Sequence, residues 1–151
     1  VFNGYLEADV ASPFHERDGV RWYVTGDLGW LDERGALHLA GRLKRFVKVG
    51  GEMVSLPALE EALQERWPAG EDGPNLAIVA FEPEGQRPHM GLFTTIELTV
   101  DEANAVLKDA GVSAIARISS ITRVDALPLL GTGKTDYREL EGRLRQEQQC
   151  P

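Results

Sequence analysis

Gly41-Arg-Leu-Lys-Arg-Phe-Val-Lys-Val-Gly-Gly-Glu-Met-Val-Ser-Leu56 is the segment from which the rest of the chain can be placed. Phe46 to Val49 is aromatic and β-branched and predicts a strand. Gly50-Gly51 stops it, and Met53-Val54 resumes it before Ser55 and Pro57 announce a helix. Proline suits the first turn of a helix, and Glu60 and Glu61 suit the positive end of its dipole. Leu56, Leu59, Leu63 and Trp67 then make a buried stripe at helical spacing.

Charge concentrates on the same segment. Arg42, Lys44, Arg45 and Lys48 fall within seven residues, with no carboxylate until Glu52. Such a cluster is either a strand edge guarded by charge or a local anion site for a nucleotide or phosphorylated cofactor. The chain as a whole is acidic, with 16 basic and 24 acidic residues in 151 and a net charge of −8. That balance argues against general nucleic-acid binding, which needs a cationic footprint. Hydrophobic residues make up 42% of the chain, enough for an ordinary globular core, and no apolar run approaches the ~20 residues of a membrane helix. Cys150 is the lone cysteine, so no internal disulfide forms, which fits a reducing, cytoplasmic setting. His15, His38 and His89 are scattered, and no spacing suggests a metal site.

Upstream, Asn3-Gly4, Ser12-Pro13 and Asp18-Gly19 mark turns between strand fragments. Trp22 to Thr25 reads as a strand. Leu28 to Leu31, the turn Asp32 to Gly35, and Ala36 to Leu39 read as a hairpin. Downstream, Pro68, Gly70, Gly73 and Pro74 break the chain before strands at Leu76–Phe81 and Met90–Thr95. Thr99 and Glu102 form a capping box for a helix over 100–110, closed by Gly111. Ile118 to Val124 is a further strand. Asp136 and Glu139 cap a last helix that turns Tyr137, Leu140 and Leu144 inward. The expected fold is α+β: a small mixed sheet flanked by helices, preceded by a β-hairpin segment, with two units meeting near Arg42 to Arg45.

Leu130-Gly-Thr-Gly-Lys-Thr135 suggests a phosphate-binding P-loop but fails the pattern, because Pro128 stands where the first glycine is needed. What remains is Lys134 on a glycine-flanked loop before a helix. By itself such a lysine is an ordinary surface residue.

It stands in an ordered series, however. Tyr23-Val-Thr-Gly-Asp-Leu28, Gly41-Arg-Leu-Lys44, Val47-Lys-Val-Gly-Gly-Glu52 and Gly131-Thr-Gly-Lys134 follow one another over most of the chain. In order and spacing they resemble the last core motifs of the adenylate-forming superfamily, which includes acyl-CoA synthetases, peptide-synthetase adenylation domains and luciferases. The stretch 41–56 with Leu129 to Lys134 is most similar to the acyl-carrier-protein synthetase part of the bifunctional acyl-ACP synthetase/2-acylglycerophosphoethanolamine acyltransferases.

The resemblance implies a two-step ligase. A carboxylate attacks the α-phosphate of ATP, giving acyl-adenylate and pyrophosphate; a thiol of CoA or of an acyl carrier protein's phosphopantetheine then displaces AMP. It implies ATP with Mg2+ held mainly by a large N-terminal domain, and a fatty acid as the acid. Residues 1–42 would be the last strands of that domain, and residues 43–151 its mobile C-terminal cap. Asp27 would bind the ribose, where a carboxylate accepts from both hydroxyls, with Tyr23 in the same cofactor motif. Arg42 would reach the ribose or α-phosphate with its planar fork. Lys44 would be the hinge, and Gly50 and Gly51 would let the pantetheine arm pass in the thiol step. Lys48 would steer phosphates or an acidic carrier. Lys134 would be catalytic in adenylation, bridging the carboxylate and phosphate oxygens; Thr132-Gly133-Lys134 departs here from the family's common Asn-Gly-Lys. The setting implied is cytoplasmic, at the membrane face if an acyltransferase is fused. A chain with these residues and no phosphate cradle should be inactive by itself. The competing expectation is a binding or regulatory module that keeps the cap fold without catalysis.

Overall fold

The computed structural model describes residues 12–70 and 73–149; the turn at Asn3-Gly4 and Cys150 lie outside them. The chain divides into two compact units, Val1–Lys44 and Arg45–Pro151.

The first unit is two antiparallel hairpins. Strands β1 (Phe14–Arg17) and β2 (Val20–Tyr23) pair across Asp18-Gly19, whose φ values of 55° and 72° form the mirror-type turn that matches strand twist. Strands β3 (Asp27–Leu31) and β4 (Leu37–Arg42) pair across a turn organised by Asp32, whose Oδ1 accepts from the Arg34 and Ala36 amides. Among its described residues none is buried, and Trp22, Trp30, Leu31, Leu37 and Leu39 are each more than half exposed. Two strands cannot bury both of their faces.

The second unit opens with β5 (Phe46–Val49) and β6 (Glu52–Ser55), paired antiparallel from Phe46↔Ser55 to Val49↔Glu52. Here the structure corrects the sequence reading. Met53-Val54 does not resume the first strand; the chain reverses. Gly50 and Gly51 have φ of 58° and 94°, a pair of left-handed residues that only glycine supplies cheaply. The reversal puts Val47 and Val54 opposite each other on the buried face and Lys48 opposite Met53 on the exposed one.

Helix α1 (Leu56–Arg66) follows, its N-terminus capped by Ser55, whose hydroxyl accepts from Ala58 N. Beyond it, β7 (Leu76–Phe81), β8 (His89–Thr94) and β9 (Ser120–Arg123) form a mixed sheet in the order β7-β8-β9, antiparallel and then parallel. The parallel step needs a crossover, supplied by α2 (Val100–Asp109) with its Thr99–Glu102 capping box. Helix α3 (Tyr137–Gln149) ends the described chain.

The sheet is buried on both faces. On one, Leu76, Ile78, Met90 and Leu92 pack with Leu59 and Leu63 of α1 and Leu107 of α2. On the other, Ala77, Val79 and Phe93 pack with Leu140 and Leu144 of α3. That is why Leu76 to Phe81 is a continuous apolar run instead of an alternating one. The architecture is α+β, as expected, with β9 shorter than the run Ile118–Val124.

Gly91 marks the closest approach of α3. A Cβ built there would lie 2.5 Å from Leu144 Cδ1 and 3.1 Å from Cδ2. Gly91→Ala is therefore expected to destabilise the chain by about 1–3 kcal/mol through overpacking. Adding Leu144→Ala should relieve the clash, so that the double variant loses less than the sum of the singles in urea unfolding. Strict additivity would mean that the two residues do not meet.

Candidate functional site

The sequence-predicted residues fall in both units, and each set is described within its own. In the first unit, Gly26 (φ 74°) turns the chain from β2 toward β3. Thr25 Oγ1 accepts from Asp27 N at 3.1 Å, which sets Asp27 at the head of β3 opposite Arg42 at the end of β4. Arg42 Nε lies 3.0 Å from Asp27 Oδ1, and Arg42 Nη1 donates to Thr25 O at 3.0 Å. Leu43 N closes the corner on Gly26 O at 2.8 Å. Arg42 and Asp27 thus form an ion pair across the paired ends of β4 and β3. It is also open to water, with the side chains 31% and 68% exposed, and such pairs contribute only about 0–1 kcal/mol. A ligand could therefore rearrange it at little cost. Tyr23 ends β2 half exposed, its ring edge-to-face with Phe14 at 5.4 Å. Lys44 lies in the single 3-10 turn Leu43–Arg45 that joins the units, with its side chain exposed.

In the second unit, Gly50 and Gly51 form the tip of the β5–β6 turn, with only Ile115 Cδ1, at 3.9 Å, near a Cβ built on Gly50 and open space beside Gly51. Lys48 is exposed one strand residue away from that tip. Lys134 is exposed as well, but its loop is not a slack tether. Leu129 bridges to Thr135, Leu130 N donates to Lys134 O at 2.7 Å, and Gly133 N donates to Leu130 O at 2.8 Å. This is a closed hairpin with Gly133 (φ 79°) at the left-handed position that such turns require. Asp136 N donates to Pro128 O, and Asp136 Oδ1 accepts from the amides of Arg138 and Glu139 to start α3. Glu139 pairs with Arg143.

Sequence reasoning missed a cluster that holds this unit together. Arg45 Nη2 donates to Glu60 Oε1 at 2.7 Å, and Arg45 Nη1 donates to Ile78 O at 2.7 Å. Ile78 N donates to the same Glu60 Oε1 at 2.7 Å, and the Tyr137 hydroxyl donates to Glu60 Oε2 at 3.1 Å. The Arg45 guanidinium lies 3.6 Å above the centre of the Tyr137 ring. Both charged side chains are close to nine-tenths buried. Burial, and then the charge of Glu60, pushes the Tyr137 phenol above its ordinary pKa, so it remains a protonated donor across the working pH range. One signal was legible. Positions 56, 59, 60 and 63 share a helix face, and Glu60 is the only polar residue among them.

Among the described residues no three His, Cys, Asp or Glu side chains gather closely enough to hold a metal ion. Among them too, no helix is long and apolar enough to cross a membrane.

No family model matches the chain. A chondramide synthase of Chondromyces crocatus is 31% identical over 138 residues, covering 89% of this chain and 3% of that protein. A long-chain-fatty-acid–CoA ligase of Mycobacterium tuberculosis is 30% identical over 163 aligned positions, covering 95% of this chain and 26% of the ligase. The chain thus spans about a quarter of the ligase and a small fraction of the synthase. Among solved structures, ATP-bound MatB of Rhodopseudomonas palustris superposes with a TM-score of 0.65 at 22% identity, over 87% of this chain and 26% of that one. The relatives and structural neighbours are adenylate-forming acyl and CoA ligases that cover most of this chain, the pattern expected of a C-terminal domain of that family.

The buried cluster makes a prediction of its own. Glu60→Ala leaves the Arg45 guanidinium and the Ile78 amide without their acceptor, and breaking a buried pair in this way typically costs about 3–5 kcal/mol. Glu60→Gln keeps an oxygen in place and should cost less than half as much. Urea unfolding of the two variants measures the difference; equal losses would mean that the negative charge, which both variants remove, decides the stability and that the retained oxygen contributes little.

Proposed function

We propose that this chain is the C-terminal part of an ATP-dependent acid–thiol ligase, with residues 1–42 the last strands of its large N-terminal domain and residues 43–151 its mobile cap. The observation that carries the reading is the presentation of Asp27, Arg42 and Lys134. Each is an ionic side chain held by a backbone-defined turn, yet open to solvent. The apolar, unburied strands of the first unit support it further, since they call for a larger body to cover them.

In this reading Asp27 accepts from the ribose hydroxyls of ATP, and Arg42 turns from Asp27 toward the ribose or α-phosphate, with Tyr23 alongside. The acid's carboxylate oxygen attacks the α-phosphorus, a P–O bond forms, and pyrophosphate leaves with the bridging oxygen and its electron pair. Two anions meet in that step. The Lys134 ammonium bridges the attacking carboxylate and a non-bridging phosphate oxygen, which offsets their repulsion and aligns the attack. Magnesium, if bound with the nucleotide, would be held mainly by the N-terminal domain and would add charge neutralisation for the phosphates. Rotation at Lys44 then exchanges Lys134 for the Gly50-Gly51 turn, past which a pantetheine thiol reaches the acyl carbon and AMP departs. The acid is a fatty acid, and the acceptor is CoA or an acyl carrier protein, toward which Lys48 contributes positive charge. The phosphate cradle and acyl pocket lie outside these residues, so the isolated chain is expected to be inactive.

The test separates the two steps in the full-length protein. Lys134→Ala should slow acyl-adenylate formation by about 10²–10³, equivalent to about 3–4 kcal/mol. Thioester formation from preformed acyl-adenylate should stay within a few-fold of the parent. Single-turnover rates read both. Equal damage to both steps in a folded variant would remove the assignment of Lys134, and no effect on either would favour a non-catalytic module.

A further inference from the structure

A closed hairpin fixes the path of its own backbone but not its attachment to the body that carries it. For Lys134 that attachment comes three residues later. Tyr137 is the first residue of α3, and its hydroxyl reaches Glu60 of α1 while its ring lies beneath the guanidinium of Arg45. Thr135, two residues before Tyr137, bridges by its backbone to Leu129, so the hairpin closes directly ahead of the residue that anchors it to α1. Arg45 is in turn locked onto the sheet through Ile78 O, and it is the first residue of the second unit.

We infer that Tyr137 is a positioning residue for Lys134: it registers the lysine hairpin against Arg45, next to the hinge. The inference rests on the proposed role of Lys134 in acyl-adenylate formation. A lysine has four rotatable side-chain bonds, so its backbone must be held still if its ammonium is to meet two oxygens. Functional groups need a supporting contact of this kind to stay within about 0.5 Å of a productive geometry. Arg45 and Glu60 serve the same arrangement from the other side. Rotation then begins at Lys44 and carries the hairpin as one piece with the cap.

The test has two arms, with Tyr137→Phe as the principal variant because it keeps the ring under Arg45 and removes only the hydroxyl. In the 151-residue chain, hydrogen exchange of the Leu130 and Gly133 amides should accelerate about tenfold while the β8 amides change less than about twofold. In the full-length protein, acyl-adenylate formation should slow about tenfold with KM for ATP nearly unchanged, and the thiol step from preformed acyl-adenylate should hold. Unchanged hairpin amides, or equal acceleration in β8, would overturn the inference by showing a role in general stability only. A loosened hairpin with normal adenylation would also overturn it, while a crippled Lys134→Ala variant left the proposed function standing. If Lys134→Ala were itself active, the proposed role of Lys134 would fall, and this inference with it.

Discussion

An edge strand carries backbone donors and acceptors on its outer side that no neighbour satisfies. One edge of the three-stranded sheet is β7, and at its centre Ile78 finds its partners in two side chains. Glu60 accepts from the Ile78 amide, Arg45 donates to the Ile78 carbonyl, and the two bond each other, so that a carboxylate and a guanidinium do the work of a missing strand. Burying two charges is costly, and the cost is met only because almost every polar atom at the site has a partner. The Tyr137 hydroxyl takes the remaining carboxylate oxygen. From this one point the approach of α1, the entry to β5 and the start of α3 are all set.

The placement matters because every residue proposed to act in the second unit hangs from those elements. The Gly50-Gly51 turn extends β5 and β6, which begin just after Arg45. The Lys134 hairpin ends where Tyr137 begins. The two faces proposed for the two half-reactions are thus branches of one rigid anchor. In the first unit the Asp27–Arg42 pair is water-exposed and weak, so under the proposed reading it exchanges partners at little cost.

What the sequence made legible was local. Ser55 and Pro57, the Leu56–Leu59–Leu63 stripe and the Thr99–Glu102 box depend on neighbours within a turn, and each formed as read. Gly50-Gly51 was misread because two glycines are compatible with either an interruption or a reversal. The choice was made by Val47 and Val54 both seeking the core. Lys134 was found through its motif, but the stiffness of its loop depends on Leu129 meeting Thr135, which glycine content alone does not reveal. The buried cluster was hidden for the same reason. Glu60 meets a backbone group 18 residues away and a phenol 77 residues away. Read as a carboxylate near a helix N-terminus, it had a sufficient local explanation that was the wrong one.

The two-sided burial of the sheet has a consequence for how the molecule is made. Leu76 to Phe81 is apolar on both faces, and one of those faces is covered mainly by α3, which follows all three strands in the chain, together with Leu127. Until Leu140 and Leu144 emerge, Ala77, Val79 and Phe93 remain in water beside a β-rich segment with no charge to interrupt it. Such a segment is prone to pair with other nascent chains. A chain interrupted before Leu140 is therefore expected to aggregate, and α3 acts as a late cover for the sheet.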